Sequence, residues 1–509
     1  MLKRVFVAPD PGRARLRFAA RAVLGIGLAV AVCLSAGYSL VGAVTGGLAA
    51  LLALFTVTDP TVRGQAVTTV LLPAVGVPVL AVAAGLHDHP VGRDLAFLAV
   101  VGAGVYARRW GPRGHSLGVF AFMTYYVAQF LRATPDRLPE LYSAIALSVL
   151  SAALVRFGVW CYERRLAPAA APAPPDGTGL ARTTTRQAVQ ATAGAGFALV
   201  VGQLVSGQRW YWAVGATWWI FVNTTSRGET LVRGFRRVLG TVIGIALGFL
   251  VAVPVHGAPV PTAVLVTVAV FGIFYTAAVS YTWMMLWVTL LAELLYGLLG
   301  VLGPGLLALR LAETAVGALG AALAVLCLLP VTTHATTNAW IQRALRSVHA
   351  CTAEVAAYPQ PPGVARASGI PPMGSTMAGA APRVAELEQL LGRVRLSVAP
   401  LVHPLNPMPA RKRRARRVLA LLDDCAREIR GLVAVAADPQ ACHDARLAAA
   451  CRRVEAAVEA LTAGGARPPH HPAEPPAEPA LAHLHGLERA LADLAEPLRS
   501  PSRSRLVGA

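Results

Sequence analysis

Charged residues are scarce in this sequence. Only 14% of its 509 residues are Asp, Glu, Lys or Arg, whereas soluble proteins carry about a quarter. Uncharged runs such as 40–57, 66–86, 187–208 and 260–292 are long enough to cross a bilayer as helices. Several such runs in succession exclude a soluble globular protein. Because the runs also lack the alternation of a β-barrel, we predict an all-α membrane protein whose first partner is the lipid bilayer.

The sequence also lacks the motifs of common enzymes and metal sites. It contains no GxxxxGK[ST] phosphate-binding loop, no HExxH and no GxSxG, so we expect no enzymatic activity, no catalytic residue and no cofactor. Its seven cysteines include no CxxC pair, which indicates free thiols in a reducing compartment and no metal site. The net charge of +20 fits arginines that face anionic headgroups, and no nucleic-acid-binding motif accompanies it.

Gaps and charges divide the first two thirds of the chain into predicted membrane spans. About twelve are expected, near 20–36, 40–58, 66–86, 93–108, 115–132, 140–160, 187–206, 210–226, 235–255, 260–279, 282–302 and 311–330. Arginine-rich loops alternate with loops that carry little charge. The positive-inside rule then places both termini in the cytoplasm, so we expect a multi-pass protein of the plasma membrane.

The two sets of six predicted spans resemble each other. The segment "TDPTVRGQ" (58–65) is similar to "NTTSRGET" (223–230), and "RLPELYSAIALSVLSAAL" (137–154) is similar to "RLAETAVGALGAALAVLC" (310–327). Each set has an even number of spans, so the repeats are expected to be parallel. Transporters build central sites on such repeats.

Composition changes set the predicted domain boundaries. We expect a first six-helix repeat over 1–163, an Ala/Pro/Gly-rich cytoplasmic linker over 164–185 and a second six-helix repeat over 186–330. After residue 330, charge recurs at helical spacing, which predicts a soluble α-helical cytoplasmic domain over 331–509. A homo-oligomer is compatible with this organisation.

A cluster of arginines lies at the start of the predicted ninth span, in "SRGETLVRGFRR" (226–237). Guanidinium groups bind carboxylates and phosphates through two hydrogen bonds at once. Arginines that only fix the topology and contact lipid headgroups are the alternative interpretation. The candidates for contact with an anionic substrate are Arg227, Arg233, Arg236, Arg237 and, in the first repeat, Arg63.

Glycines follow the arginine cluster at every fourth position. Gly240, Gly244 and Gly248 lie on one helix face, a pattern that lets a neighbouring helix approach closely. Upstream, Trp218 and Trp219 lie within the predicted eighth span and are candidates to face an aromatic solute. An interfacial aromatic belt is the alternative role for the neighbouring aromatic residues.

Glu293 falls inside the predicted eleventh span, without a basic residue nearby in sequence. A carboxyl group within the membrane is costly and is by default a functional candidate. We consider proton coupling or gating, and a structural hydrogen-bonding role as the alternative. Arg310 and Glu313, like Arg137 and Glu140, are expected at outer helix ends, where they could pair locally, and no chemistry is assigned to them.

The stretch "YWAVGATWWIFVNTTSRGETLVRGFRRVLGTVIGIALG" (211–248) resembles the signature of the fusaric acid resistance protein family, which includes aromatic carboxylic acid exporters. The matching positions are Tyr211-Trp212-Ala213 and the pattern Arg-x-x-Gly-Thr-x-x-Gly at 237–244. The resemblance is specific over about 187–330, weaker over 20–160 and absent from the C-terminal domain. It implies a membrane transport module for the efflux of aromatic or other organic acids. Plant aluminium-activated malate channels are more distantly similar.

Three functions follow as hypotheses. The first is a secondary transporter that exports small organic acids with the help of the proton gradient. The second is a passive anion channel, and the third is a non-transporting envelope scaffold that acts through its cytoplasmic domain.

Overall fold

The structure, a computed structural model, describes residues 13–163, 179–222, 224, 226–255, 258–329, 333–356, 380–402, 409–436, 445–462 and 478–499. Within these residues it contains seventeen α-helices, three short 3-10 helices and no β-strand, so the predicted all-α class is confirmed. The chain divides into two compact units, residues 1–331 and 332–509. Most of the predicted linker, 164–185, lies outside the described residues.

Unit 1 contains twelve of the described α-helices. The first half comprises α1 (Ala14–Ser35), α2 (Leu40–Thr56), α3 (Val62–Gly85), α4 (Pro90–Tyr106), α5 (Gly111–Leu131) and α6 (Leu138–Glu163). The second half comprises α7 (Thr183–Val205), α8 (Tyr211–Phe221), α9 (Arg227–Val255), α10 (Pro259–Ala277), α11 (Tyr281–Leu298) and α12 (Pro304–Cys327).

Nine helical stretches of the described chain are long and apolar enough to cross a membrane, and all of them lie in unit 1. One is the 42-residue stretch Pro90–Leu131, which folds back on itself. A Cβ on Gly118 would lie 2.4 Å from the Gly104 carbonyl oxygen, so α4 and α5 cross there as a hairpin. The chain is therefore a multi-pass membrane protein. The count of twelve crossings stays a prediction.

Helix α8 differs from its predicted span, 210–226. It has 11 residues, which rise about 16 Å, or roughly half of the hydrocarbon thickness. It ends where Val222 becomes extended, and the carbonyl groups after it are paired. Arg108 donates to the carbonyl oxygens of Phe221 and Thr224, and Gln187 donates to that of Thr224. In a continuous helix, these carbonyl oxygens would accept hydrogen bonds from backbone N–H groups of the same helix. Here side chains of other segments donate those hydrogen bonds.

The two halves of unit 1 pack through matching helix pairs. In the first half α1 packs on α2 and α6, α2 on α6, α3 on α5, and α4 on α5. In the second half α7 packs on α8 and α12, α8 on α12, α9 on α11, and α10 on α11. Between the halves, α4 contacts α7 and α10 contacts α1. Phe274 of α10 packs edge-on against Phe18 and Phe55, with ring centroids 5.1 Å and 5.5 Å apart.

Unit 2 contains the remaining five described helices, α13 (Thr333–Ala356), α14 (Ala380–Val402), α15 (Pro409–Ala436), α16 (Ala445–Thr462) and α17 (Pro479–Arg499). Their apolar faces form a core of their own, with Leu345, Val394, Ile429, Val454 and Leu491 fully buried. Charged residues lie on the outer faces, as in Arg395, which pairs with Asp423 at 2.6 Å.

Candidate functional site

A cavity of about 180 Å³ lies within unit 1 and is bounded by side chains of both halves. Side chains of α2 and α5 line one side of it, and side chains of α8 to α12 line the other. Almost all of them are aliphatic or aromatic, such as Phe55, Tyr126 and Tyr296. The charged residues of the lining are two arginines, Arg237 of α9 and Arg310 of α12.

Arg237 enters the cavity from α9, ten residues after this helix begins. That distance corresponds to about 15 Å along the helix axis. Its Nη1 donates to the hydroxyl oxygen of Tyr281, at 3.2 Å, and contacts the sulfur of Met285, at 3.1 Å. Its buried Nε has no hydrogen-bond partner, and no carboxylate of the described residues pairs with this guanidinium. Among the described residues, the groups in polar contact with Arg237 are therefore a phenol and a thioether.

Arg310 lies six residues after the first residue of α12. Its guanidinium carbon is 5.5 Å from the ring centroid of Trp212, and its buried Nε has no hydrogen-bond partner. In the described residues it does not pair with Glu313, a local pair that the sequence had left open. Glu313 is fully buried against Gly202 of α7 instead. Sequence reasoning placed Arg310 at a helix end and missed the cavity. The predicted span began only at 311, whereas α12 begins at Pro304; a proline at the first helical position was the signal for the earlier start.

Aromatic rings surround the side of the cavity near Arg310. The ring of Trp212 is near two guanidinium groups, because Arg209 is also 5.5 Å from its centroid. Tyr296 packs against Trp212 at 5.5 Å and against Phe130 at 5.6 Å. Cation–π contacts of this kind hold an arginine in place without neutralising it. The cavity therefore combines aromatic surface with positive charge.

The two predicted tryptophans occupy different environments. Trp219 lines the cavity, whereas Trp218 is 1% exposed and stacks on Phe122 with a centroid distance of 4.3 Å. The backbone oxygen of Trp219 accepts hydrogen bonds from Arg233 Nε at 3.1 Å and from the Tyr281 hydroxyl at 3.3 Å. Arg233 also lies 3.9 Å above the Tyr281 ring. Arg233 therefore holds the end of α8 and stands behind the cavity lining.

Glu293 is fully buried on α11, and neither of its carboxyl oxygens has a hydrogen-bond partner in the part of the chain that the structure describes. Its neighbours Leu291 and Ala292 line the cavity, but the carboxyl group itself faces α9. A Cβ at Gly248 would lie 1.2 Å from Glu293 Oε2, so only a glycine leaves room for the carboxyl group. Gly240 and Gly244 meet α11 in the same way, beside the backbone oxygens of Thr282 and Leu286.

The other predicted arginines lie elsewhere. Arg63 and Arg227 are exposed at the starts of α3 and α9, and Arg236 is half-buried. None of the three lines the cavity. The structure thus brings together Arg237 and Trp219, places Arg233 and Glu293 directly behind the lining, and adds Arg310. No group of His, Cys, Asp or Glu that could hold a metal ion occurs in the part of the chain that the structure describes.

These features define a class of protein, namely an all-helical, multi-pass membrane protein with an aromatic cavity that contains two arginines. Residues 197–324 match the family model described as fusaric acid resistance protein-like. This segment is similar to that family, and the match confirms the resemblance inferred from the sequence. The match covers about a quarter of the chain and includes Trp219, Arg237, Glu293 and Arg310. The comparison with curated proteins found no match.

Proposed function

We propose that the protein is a secondary transporter that exports small organic acids, aromatic carboxylates among them, across the plasma membrane. The observation that carries the proposal is the pair Arg237 and Arg310, which line an otherwise apolar and aromatic cavity without a carboxylate partner in the described residues. An unneutralised guanidinium in such surroundings is costly. A ligand that brings a carboxylate and an aromatic ring supplies the missing charge and fills the apolar space.

The organisation in two parallel six-helix repeats is part of this proposal. It is supported by the matching helix pairs of the two halves and by the lining of the cavity, to which α2 and α5 contribute from one half and α8 to α12 from the other. A site between repeats suits alternating access, because movement of one half against the other opens it to either side. In this arrangement both termini and unit 2 lie in the cytoplasm.

Glu293 is the proposed proton-coupling residue. It lies behind the cavity wall, is fully buried and has no hydrogen-bond partner in the described residues. A carboxyl group in this setting can take up and release a proton during a transport cycle. The proposal assigns the remaining arginines, Arg63, Arg227 and Arg236, to attraction of the anion toward the cytoplasmic end, since they lie at or near the start of α3 or α9.

A susceptibility screen tests the proposed function. A deletion strain and its complemented parent are grown with a panel of aromatic and aliphatic carboxylic acids, with neutral aromatics as controls. The proposal predicts that deletion lowers tolerance to at least one carboxylic acid and to no neutral analogue. Complementation with Arg310→Gln should fail to restore that tolerance. Equal tolerance of both strains to every acid would favour the envelope scaffold.

An anion channel remains the second candidate because the two arginines would also attract an anion to a pore. Recordings from planar bilayers that contain the purified protein separate the two. A channel gives unitary currents with chloride or malate, whereas a transporter of this type turns over too slowly to do so. Unitary currents would contradict the transporter.

A further inference from the structure

Unit 2 carries a dense run of positive charge at the beginning of α15. Six of the seven residues from 411 to 417 are Arg or Lys, interrupted only by Ala415. The core of unit 2 fixes the orientation of the run, because Ala415 and Val418 are buried in it. As a result, Arg413, Arg416 and Arg417 are exposed on the opposite side, and Lys412 is half-buried. We call Lys412, Arg413, Arg416 and Arg417 the basic patch.

No ion pair neutralises the basic patch among the described residues. The next acidic residues along α15 are Asp423 and Asp424, and they pair with Arg395 and Arg427. Arg414, within the run, donates to the backbone oxygens of Pro497 and Leu498 and so fastens α15 to the end of α17. The run therefore contains Arg414, which has a structural contact, and the four cationic side chains of the basic patch, of which Arg413, Arg416 and Arg417 are exposed.

The stability of unit 2 does not account for the basic patch. Like charges at helical neighbour positions, such as 413, 416 and 417, repel one another. Cations in the first turns also lie at the positive end of the helix dipole, where carboxylates are favoured. Elsewhere on the unit the charges are interspersed, as in the pairs of Arg383 with Glu354 and Arg453 with Glu488. In the basic patch, by contrast, charges of one sign are adjacent. This arrangement lowers the stability of unit 2 and favours binding of an anionic partner.

We propose that the basic patch binds the headgroups of anionic phospholipids at the membrane surface. Clusters of four to eight basic residues on an amphipathic helix bind such surfaces, and the arginine fork fits a phosphate diester. Unit 2 is covalently joined to a membrane-spanning unit, which presents a bilayer to it at high effective concentration. Nucleic acid is the less suitable partner, because the stretch 409–420 contains no aromatic residue for base stacking and no Asn or Gln to read a base edge.

Amide hydrogen exchange of the full-length protein in lipid nanodiscs tests the proposal. One set of discs contains phosphatidylcholine only, and the other contains about 30% phosphatidylglycerol, an anionic lipid. The expected result is slower exchange across 409–418 in the anionic discs, by about fivefold or more, the change that one basic residue near such a surface provides. The protection should vanish at about 1 M salt, where the Debye length falls to about 3 Å.

Two triple variants make the test specific. Arg413→Gln/Arg416→Gln/Arg417→Gln should lose the difference between the two kinds of disc. Arg383→Gln/Arg395→Gln/Arg453→Gln removes the same charge from arginines that have carboxylate partners and should retain the difference. Exchange across 479–499 reports whether each variant is folded. Equal exchange of the wild-type segment in both discs would overturn the proposal. The proposal would also be overturned if a short DNA duplex, added to protein in neutral discs, slowed exchange across 409–418 more than anionic lipid does.

Discussion

At the residue scale, the proposed transport depends on buried charged groups that form no salt bridge among the described residues. Arg237 lies beside a phenol and a thioether, and Arg310 lies beside an indole ring. Glu293 is buried behind the same wall without a donor. Ionisable groups inside a membrane protein are retained at a cost, which is the physical reason to assign them to substrate and proton. Each assignment can be tested separately.

Replacing Arg310 should weaken transport of an organic anion. Arg310→Gln would remove the proposed charge-assisted hydrogen bond to the substrate, and the expected loss is about tenfold to a hundredfold in kcat/KM. The matched control is Arg137→Gln, which changes the arginine at the corresponding sequence position in the first half. Arg137 is exposed and lies outside the cavity. Initial rates of acid transport in vesicles measure both, and equal losses in the two variants would contradict the role of Arg310.

Replacing Glu293 should uncouple transport from protons and leave the fold intact. Glu293→Gln keeps the shape that Gly248 accommodates, but the amide cannot exchange a proton. We expect transport to lose its dependence on a pH gradient while counterflow of the acid persists. Glu140→Gln is the control. Glu140 accepts hydrogen bonds from Ser39, lies on α6 and does not line the cavity. A gradient response that survives in Glu293→Gln would remove this residue from the mechanism.

At the element scale, the sequence predicted where helices lie better than how they meet. Hydropathy placed a predicted span on each helix of unit 1, because apolar length decides where a segment can cross a membrane. It missed the first two turns of α9 and α12, which begin at Arg227 and Pro304 and not at 235 and 311. It overestimated α8, where Arg108 pairs with the carbonyl group of Phe221 at the end of the helix and Gln187 pairs with that of Thr224 beyond it. It also missed Arg310, since a cavity arises from several helices and has no local pattern. Trp218 and Trp219 illustrate the same limit: adjacent in sequence, they face different surroundings.

Close contact between α9 and α11 should make Gly240 sensitive to substitution. A Cβ there would lie 2.5 Å from the Thr282 backbone oxygen and 2.7 Å from Met285 Cβ, so Gly240→Ala requires the helices to separate. Such overpacking costs about 1–3 kcal/mol. Gly27→Ala is the control, because nothing lies within 4 Å of that position. Thermal unfolding in detergent should show a lower Tm for Gly240→Ala only; an unchanged Tm would mean that the two helices are not tightly packed.

Buried thiols in unit 2 should react slowly with alkylating agents. Burial raises the pKa of Cys351 and Cys451 to about 11 and the pKa of Cys425 to about 12. Thiolate is the reactive form, so at pH 8 these cysteines should remain unlabelled in the folded protein. They should label readily after unfolding, when the pKa returns to about 8.5. Mass spectrometry of native and denatured samples measures this, and rapid native labelling would show that the core of unit 2 is open.

At the scale of the whole molecule, a membrane unit with two similarly packed halves is joined to a helical unit with its own core. The cavity between the halves and the basic patch of unit 2 serve different functions in this account, one on the solute and the other on the membrane surface. Their tests are accordingly independent. Loss of lipid binding at the patch leaves the cavity as described, and a failed transport assay leaves the lipid proposal intact.

Flux of an aromatic carboxylate through purified protein tests the central claim most directly. Proteoliposomes are loaded with radiolabelled benzoate, and release is followed after a pH gradient is imposed, with protein-free vesicles and Arg310→Gln as controls. The account predicts saturable, gradient-dependent release by the wild-type protein and release at least about tenfold slower by Arg310→Gln. Release no faster than from protein-free vesicles, for benzoate and for every other organic acid of the panel, would contradict it.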